Sequence, residues 1–189
     1  MQIQTQTHIQ KNTKHIIKAT WLLAASLALV ACAHYQVPAS PTFAANSRWA
    51  VMPMINNSNT PLAAEKVEQI LGSALYAKGI NATFYPASQA NDLASILDSH
   101  ARQKKAQAWL DSQQFDYVIT GSVEEWHYKS GLDGEPAVGI TLHVQSAVDH
   151  VTQWRASGAQ SGWGRESVSG VGQKVINELL KGLNVEQNQ

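Results

Sequence analysis

Downstream of Arg48 the apolar positions repeat with two periods that alternate along the chain. Arg48 to Ile55 is a short apolar run that ends in Asn56-Asn57-Ser58-Asn59-Thr60-Pro61, which predicts a strand running into a loop. Leu62, Val67, Ile70, Leu71, Ala74 and Leu75 then recur at helical spacing, with Thr60 as the expected hydroxyl cap, Pro61 at the first helical position and Gly79 closing the helix. Asn81 to Tyr85 predicts a second short strand. A helical stretch follows, clearest from Ala101 to Ser112. Asp116–Tyr128, Ala137–Val148 and Gln153–Trp163 predict three longer strands joined by turns at Gly131–Pro136 and Asp149–Thr152, with Val138, Ile140, Leu142, Val144 and Val148 on one face. Ser167 to Leu183 predicts a last helix that buries Val171, Val175, Ile176, Leu179 and Leu180. The order is β-α-β-α-β-β-β-α. Helical crossovers imply parallel pairing early in the chain, and short turns imply antiparallel hairpins late. The expected fold is α/β: a single domain over 48–189 with a mixed sheet and helices packed on it.

The first 31 residues follow a different pattern. Lys11, Lys14 and Lys18 precede the apolar run Ala19–Ala31, and no acid occurs before Glu65. The run is shorter than the roughly 20 residues needed to span a bilayer. Basic flank, short apolar core and small residues make a secretory signal peptide. Leu29-Val30-Ala31-Cys32 resembles the bacterial lipobox, in which the cysteine is lipidated and the chain is cut just before it. That assigns 1–31 to a lipoprotein signal and Cys32, the single cysteine, to an acyl anchor of the palmitate class. The alternative is an ordinary signal with a chance cysteine. Ala33 rather than aspartate after the cysteine suggests the inner leaflet of the outer membrane, with the body in the periplasm. Residues 32–47, with Pro38 and Pro41 among small and polar residues, predict a tether.

Charge and chemistry narrow the function classes. Three of the fourteen lysines and arginines precede the cut and all fourteen acids follow it, so the mature chain sits near −3. Nothing clusters as a nucleic-acid surface would. One cysteine excludes thiolate metal centres, and His100, His127, His143 and His150 do not pair at ligand spacing. Thr120-Gly121-Ser122-Val123-Glu124-Glu125 lacks the nucleophile-elbow pattern, and the glycines of Ser169-Gly170-Val171-Gly172-Gln173-Lys174 lack a phosphate loop's spacing; they are expected to make room for close packing. Glu124 and Glu125, adjacent on a strand, are expected to face opposite sides. No enzyme, metal or cofactor beyond the covalent lipid is expected. Asp133 and Glu135, in Gly131-Leu132-Asp133-Gly134-Glu135-Pro136, are either ordinary turn residues or functional acids. Trp163, bracketed by Gly162 and Gly164, is either a lid over the core or an exposed anchor for a membrane or partner. Trp126 and Trp154 are expected on sheet faces or in the core.

The segments 49–71, 117–142 and 157–169, above all Gly131–Gly139 and Ser161–Glu166, together resemble the PelC family of outer-membrane lipoproteins of Pel exopolysaccharide export. The fold of these proteins is like the N-terminal domain of TolB. The resemblance implies a non-enzymatic protein that forms a homo-oligomeric ring, expected as a dodecamer, beneath the outer membrane. It implies a PelB-like barrel-and-repeat partner and a cationic, partly deacetylated polysaccharide as cargo. It also implies Asp133 and Glu135 as polymer-guiding acids, Trp163 as a membrane contact and Cys32 as the lipid site. The alternative is a lipoprotein activator of a peptidoglycan synthase, which would bind a protein partner without a ring and which a longer disordered tether would favour.

Overall fold

The computed structural model describes residues 33–44, 46–86, 99–131 and 134–186. Cys32, Asp133 and residues 87–98, which precede the second helix, lie outside them. The strands are β1 (Ala33–Gln36), β2 (Thr42–Phe43), β3 (Trp49–Val51), β4 (Ile55–Asn56), β5 (Ala82–Phe84), β6 (Tyr117–Tyr128), β7 (Pro136–Ser146), β8 (Thr152–Ser161) and β9 (Asn184–Val185). The helices are α1 (Ala63–Ala77), α2 (Ser99–Asp111) and α3 (Val168–Leu180). The main sheet runs β1-β8-β7-β6-β3-β5, with β4 also on β6. β3 pairs in parallel with β5 and β6, whereas β6-β7 and β7-β8 are antiparallel, as the connection lengths require.

One sheet face carries the larger core. Val138, Ile140, Leu142 and Val144 meet Val67, Leu71 and Leu75 of α1 and Val171, Val175, Ile176 and Leu179 of α3. Trp126 and Trp154 belong to it, 2% and 4% exposed. Gly172 is where α3 crosses closest: a Cβ there would lie 2.5 Å from the Trp126 ring, so the glycine makes room for packing. On the opposite face α2 covers only the β3-β5-β6 side, through Ala106 and Leu110 on Ala50, Met52, Tyr85 and Val118. Arg102 of α2 reaches α1 and is itself 5% exposed. Its guanidinium donates to Glu68 at 2.9 and 2.6 Å and to Glu65 at 3.2 Å, and Glu68 also accepts the Met54 N–H at 2.9 Å.

The two ends of α1 divide into one expected and one unexpected case. Gly79 has φ 84°, its N–H reaches Tyr76 O at 3.0 Å and the Ile80 N–H reaches Leu75 O at 2.9 Å. This is a complete Schellman closure, with Ile80 and Leu75 both in the core. At the other end Thr60 does not cap α1. Its hydroxyl donates to the Trp126 carbonyl, and the helix opens after Leu62, which is left-handed at φ 59° and offers no side-chain cap. Val148 also departs from expectation: β7 ends at Ser146, and Val148 sits 86% exposed in the following turn.

The largest departure is at the start of the body. The expected tether is part of the fold. β1 pairs antiparallel with β8 from Ala33↔Gln160 to Gln36↔Ser157. The Trp154 indole N–H donates to Pro38 O at 2.7 Å, and the Ser40 N–H donates to Gly182 O at 2.8 Å. β2 pairs in parallel with β9, and Phe43 packs edge-on against Trp49 and Tyr117 at 5.2 and 4.8 Å between ring centres. Isolated apolar residues between prolines carry no period of their own; β8 and the aromatic cluster supply the partner surface.

Candidate functional site

The sheet register brings one end of the molecule into view. Ala33, Gln160, Val138 and Trp126 form one cross-strand row. Glu135 and Trp163 each lie three residues beyond that row, on the turn after β6 and the loop after β8. The two loops are tied together: the Gly162 N–H donates to Pro136 O at 2.8 Å, and the Lys129 N–H donates to Glu135 O at 2.7 Å. Ala33, Glu135 and Trp163 therefore share one end.

Trp163 is 55% exposed, unlike the core residues Trp49, Trp126 and Trp154. It is not a lid over the core. Residues Trp163 to Glu166 form a turn in which the Glu166 N–H donates to Trp163 O at 2.8 Å. The Glu166 carboxylate accepts the Trp163 N–H at 3.0 Å with one oxygen and the Lys174 ammonium with the other. The Lys174 and Trp163 donors hold the Glu166 carboxyl below the usual carboxylate range. Tyr128, 54% exposed, stands at the same end, its hydroxyl 3.4 Å from Glu166 O.

Glu135 is half-exposed and faces Lys129 Nζ at 3.8 Å. Within one copy Glu135 is thus partly neutralised by Lys129, which sequence spacing did not reveal.

Glu124 and Glu125 do not face opposite sides. The β6-β7 register slips between Val123↔Ile140 and Glu125↔Gly139, leaving Glu124 as the extra residue of a bulge. Val123 and Trp126, three apart, both turn into the core. Both glutamates therefore point to the open sheet face, and a Cβ placed on Gly139 would be 3.5 Å from the Cβ of each. Small residues floor the shallow groove beside them: Gly139, Ser157, Gly158 and Ala159, with His34 on its rim. Glu124 accepts from Asn57 Nδ2 at 2.9 Å and from the Ser122 hydroxyl. Apolar-acid-acid-apolar spacing was the signal available for this bulge.

His143, on the open face beside Arg155, is held below its usual value first by burial and then by that arginine. Among the described residues no group of three or more His, Cys, Asp or Glu side chains could hold a metal ion. Among the same residues no helix is long and apolar enough to cross a membrane.

No family model and no curated protein matches the chain. Solved structures do. A PelC dodecamer from Paraburkholderia phytofirmans is 32% identical at TM-score 0.69, and the match covers 82% of this chain and 100% of that one. A substituted form of that dodecamer matches with the same coverage at 29% identity and TM-score 0.66. The lipoprotein GNA1162 from Neisseria meningitidis shares the fold at 15% identity and TM-score 0.53, over 71% of this chain and 96% of that one.

Proposed function

Because this chain belongs to the PelC family, we propose that it is a lipoprotein, anchored at Cys32 in the outer membrane's inner leaflet, that assembles as a homo-oligomeric ring and guides a cationic exopolysaccharide toward a PelB-like export barrel. The observation that carries this reading is the match to a dodecamer over that chain's entire length. The geometry supports it in two ways. The sheet begins at Ala33, one peptide bond after Cys32, so an acyl anchor there would hold the Glu135–Trp163 end at the lipid surface. A long disordered tether would favour a synthase activator, whereas residues 33–36 and 42–43 pair with strands of the body.

The guiding role is one of weak, repeated attraction and involves no chemical step. An ammonium meeting one exposed carboxylate in water gains about 1 kcal/mol at contact. Asp133 and Glu135 set against Lys129 leave about one net negative charge per copy at this turn, and a ring sums these charges into a field that concentrates polycations without trapping them. Asp133→Asn with Glu135→Gln should therefore lower secretion of the cationic polymer while leaving assembly intact. Lys129→Gln should strengthen binding of partly deacetylated polymer to the assembled protein. If the neutralised turn secretes and binds as well as the parent, the turn is not the guide, and the two carboxylates of the β6 bulge become the next surface to neutralise.

A further inference from the structure

Glu166 engages all four of its polar atoms, two of them with the backbone of Trp163. Its N–H holds the Trp163 carbonyl, one carboxylate oxygen holds the Trp163 N–H, the other takes the Lys174 ammonium from α3, and its carbonyl meets the Tyr128 hydroxyl. Capping α3 does not explain this, because Ser167 already does it, accepting from the Gly170 N–H at 3.0 Å. The carboxylate points the other way, into the turn. Gly162 completes the fit. A Cβ there would come within 2.5 Å of Val171 Cγ2, 2.6 Å of Glu166 Oε2 and 2.8 Å of Pro136 Cγ, so only glycine lets the chain lie under the carboxylate. The result is a backbone fixed at both its N–H and its C=O, bearing a large amphipathic side chain that is left 55% exposed.

We infer that Glu166, braced by Lys174, is a positioning residue that presents the Trp163 indole to the lipid surface. This rests on the reading above that Trp163 faces the membrane. Fixing the backbone that carries a projecting side chain before contact removes loop-ordering entropy that docking would otherwise cost. The indole can then insert without the loop having to settle first.

The test uses the lipidated chain in phosphatidylethanolamine–phosphatidylglycerol vesicles whose acyl chains carry bromine, which quenches tryptophans at the bilayer. Trp163→Phe identifies the Trp163 share of the quenching. Glu166→Ala and Lys174→Met should each lower that share about twofold or more, while Glu166→Gln, which keeps an acceptor for the Trp163 N–H, should retain most of it. Melting temperature and assembly should hold in all three variants, and if Glu166→Ala does not accumulate, Lys174→Met decides. Full Trp163 quenching in Lys174→Met and Glu166→Ala overturns the positioning role and leaves the membrane reading intact. Equal quenching in Trp163→Phe and the parent overturns the membrane reading, and the positioning role with it.

Discussion

Separating the anchor from the body gives a quantitative test of the geometry. Ala33 and Gln160 are paired, so their Cα atoms are about 5 Å apart, and three extended residues advance the chain about 10 Å. The Trp163 backbone therefore lies roughly 10–15 Å from the residue that follows Cys32. A lipid on Cys32 alone would hold this end near the bilayer, and Trp163 would hold it a second time. A 30-residue Gly/Ser insert between Cys32 and Ala33 changes this, because its root-mean-square reach is about 30 Å. Spreading the body over a distance two to three times larger lowers the local concentration of Trp163 at the surface about tenfold, or about 1.4 kcal/mol. The insert alone should weaken bromolipid quenching of Trp163 without releasing the protein from the membrane. Trp163→Ala alone should leave the body close to the bilayer, read by a lipid-to-protein energy-transfer label on the β6-β7 turn. The two changes together should move the label away and reduce polymer secretion more than either does singly. A label that stays equally close in the combined variant would refute the reasoning. So would its complete release by Trp163→Ala alone, since the anchor would then not be holding this end.

Two further outcomes follow from groups inside the fold. Arg102→Met leaves the buried Glu68 carboxylate with the Met54 N–H but without its cation and beside the like charge of Glu65, and urea unfolding should show a loss of about 3–5 kcal/mol, part of it recovered by adding Glu68→Gln; a loss below about 1 kcal/mol would contradict a buried ion pair. His143 is held below its usual value, so below about pH 6.5 the unfolded chain takes up a proton that the folded chain resists, and stability falls as pH drops through that point. His143→Gln should flatten this part of the pH profile relative to the parent, and an unchanged slope would show that the imidazole titrates normally.

What was legible in the sequence was whatever repeats. The buried stripe of α3 and the alternation of β7 read directly, because each residue's neighbour is set by the element's own period. Gly79 was legible because a left-handed closing position has few other solutions. The glycines beside Trp163 left it open between a lid and a projecting anchor, and its 55% exposure decides for projection; the Glu166 contacts that hold its backbone were not legible. The remaining misses come from partners distant in sequence. Residues 33–43 read as a tether because β1 gains its structure only from β8, and Phe43 only from Trp49 and Tyr117. Thr60 resembled a cap until the Trp126 carbonyl claimed its hydroxyl. Glu68 and Arg102 are 34 residues apart, although a glutamate within the apolar stripe of α1, between Ala64 and Leu71, marked a buried charge in need of a partner. Cys32 and Asp133 lie outside the described residues, so their roles rest on the motif and the family.

Native mass spectrometry of the lipidated protein extracted in mild detergent tests the central claim most directly. A protein that works as a ring in this family should be released as a closed assembly of one dominant size, a dodecamer like the Paraburkholderia structure, and should keep that size on dilution. A monomer, or a ladder of sizes that shifts with concentration, would contradict the ring and with it the repeated acidic field on which the guiding role depends.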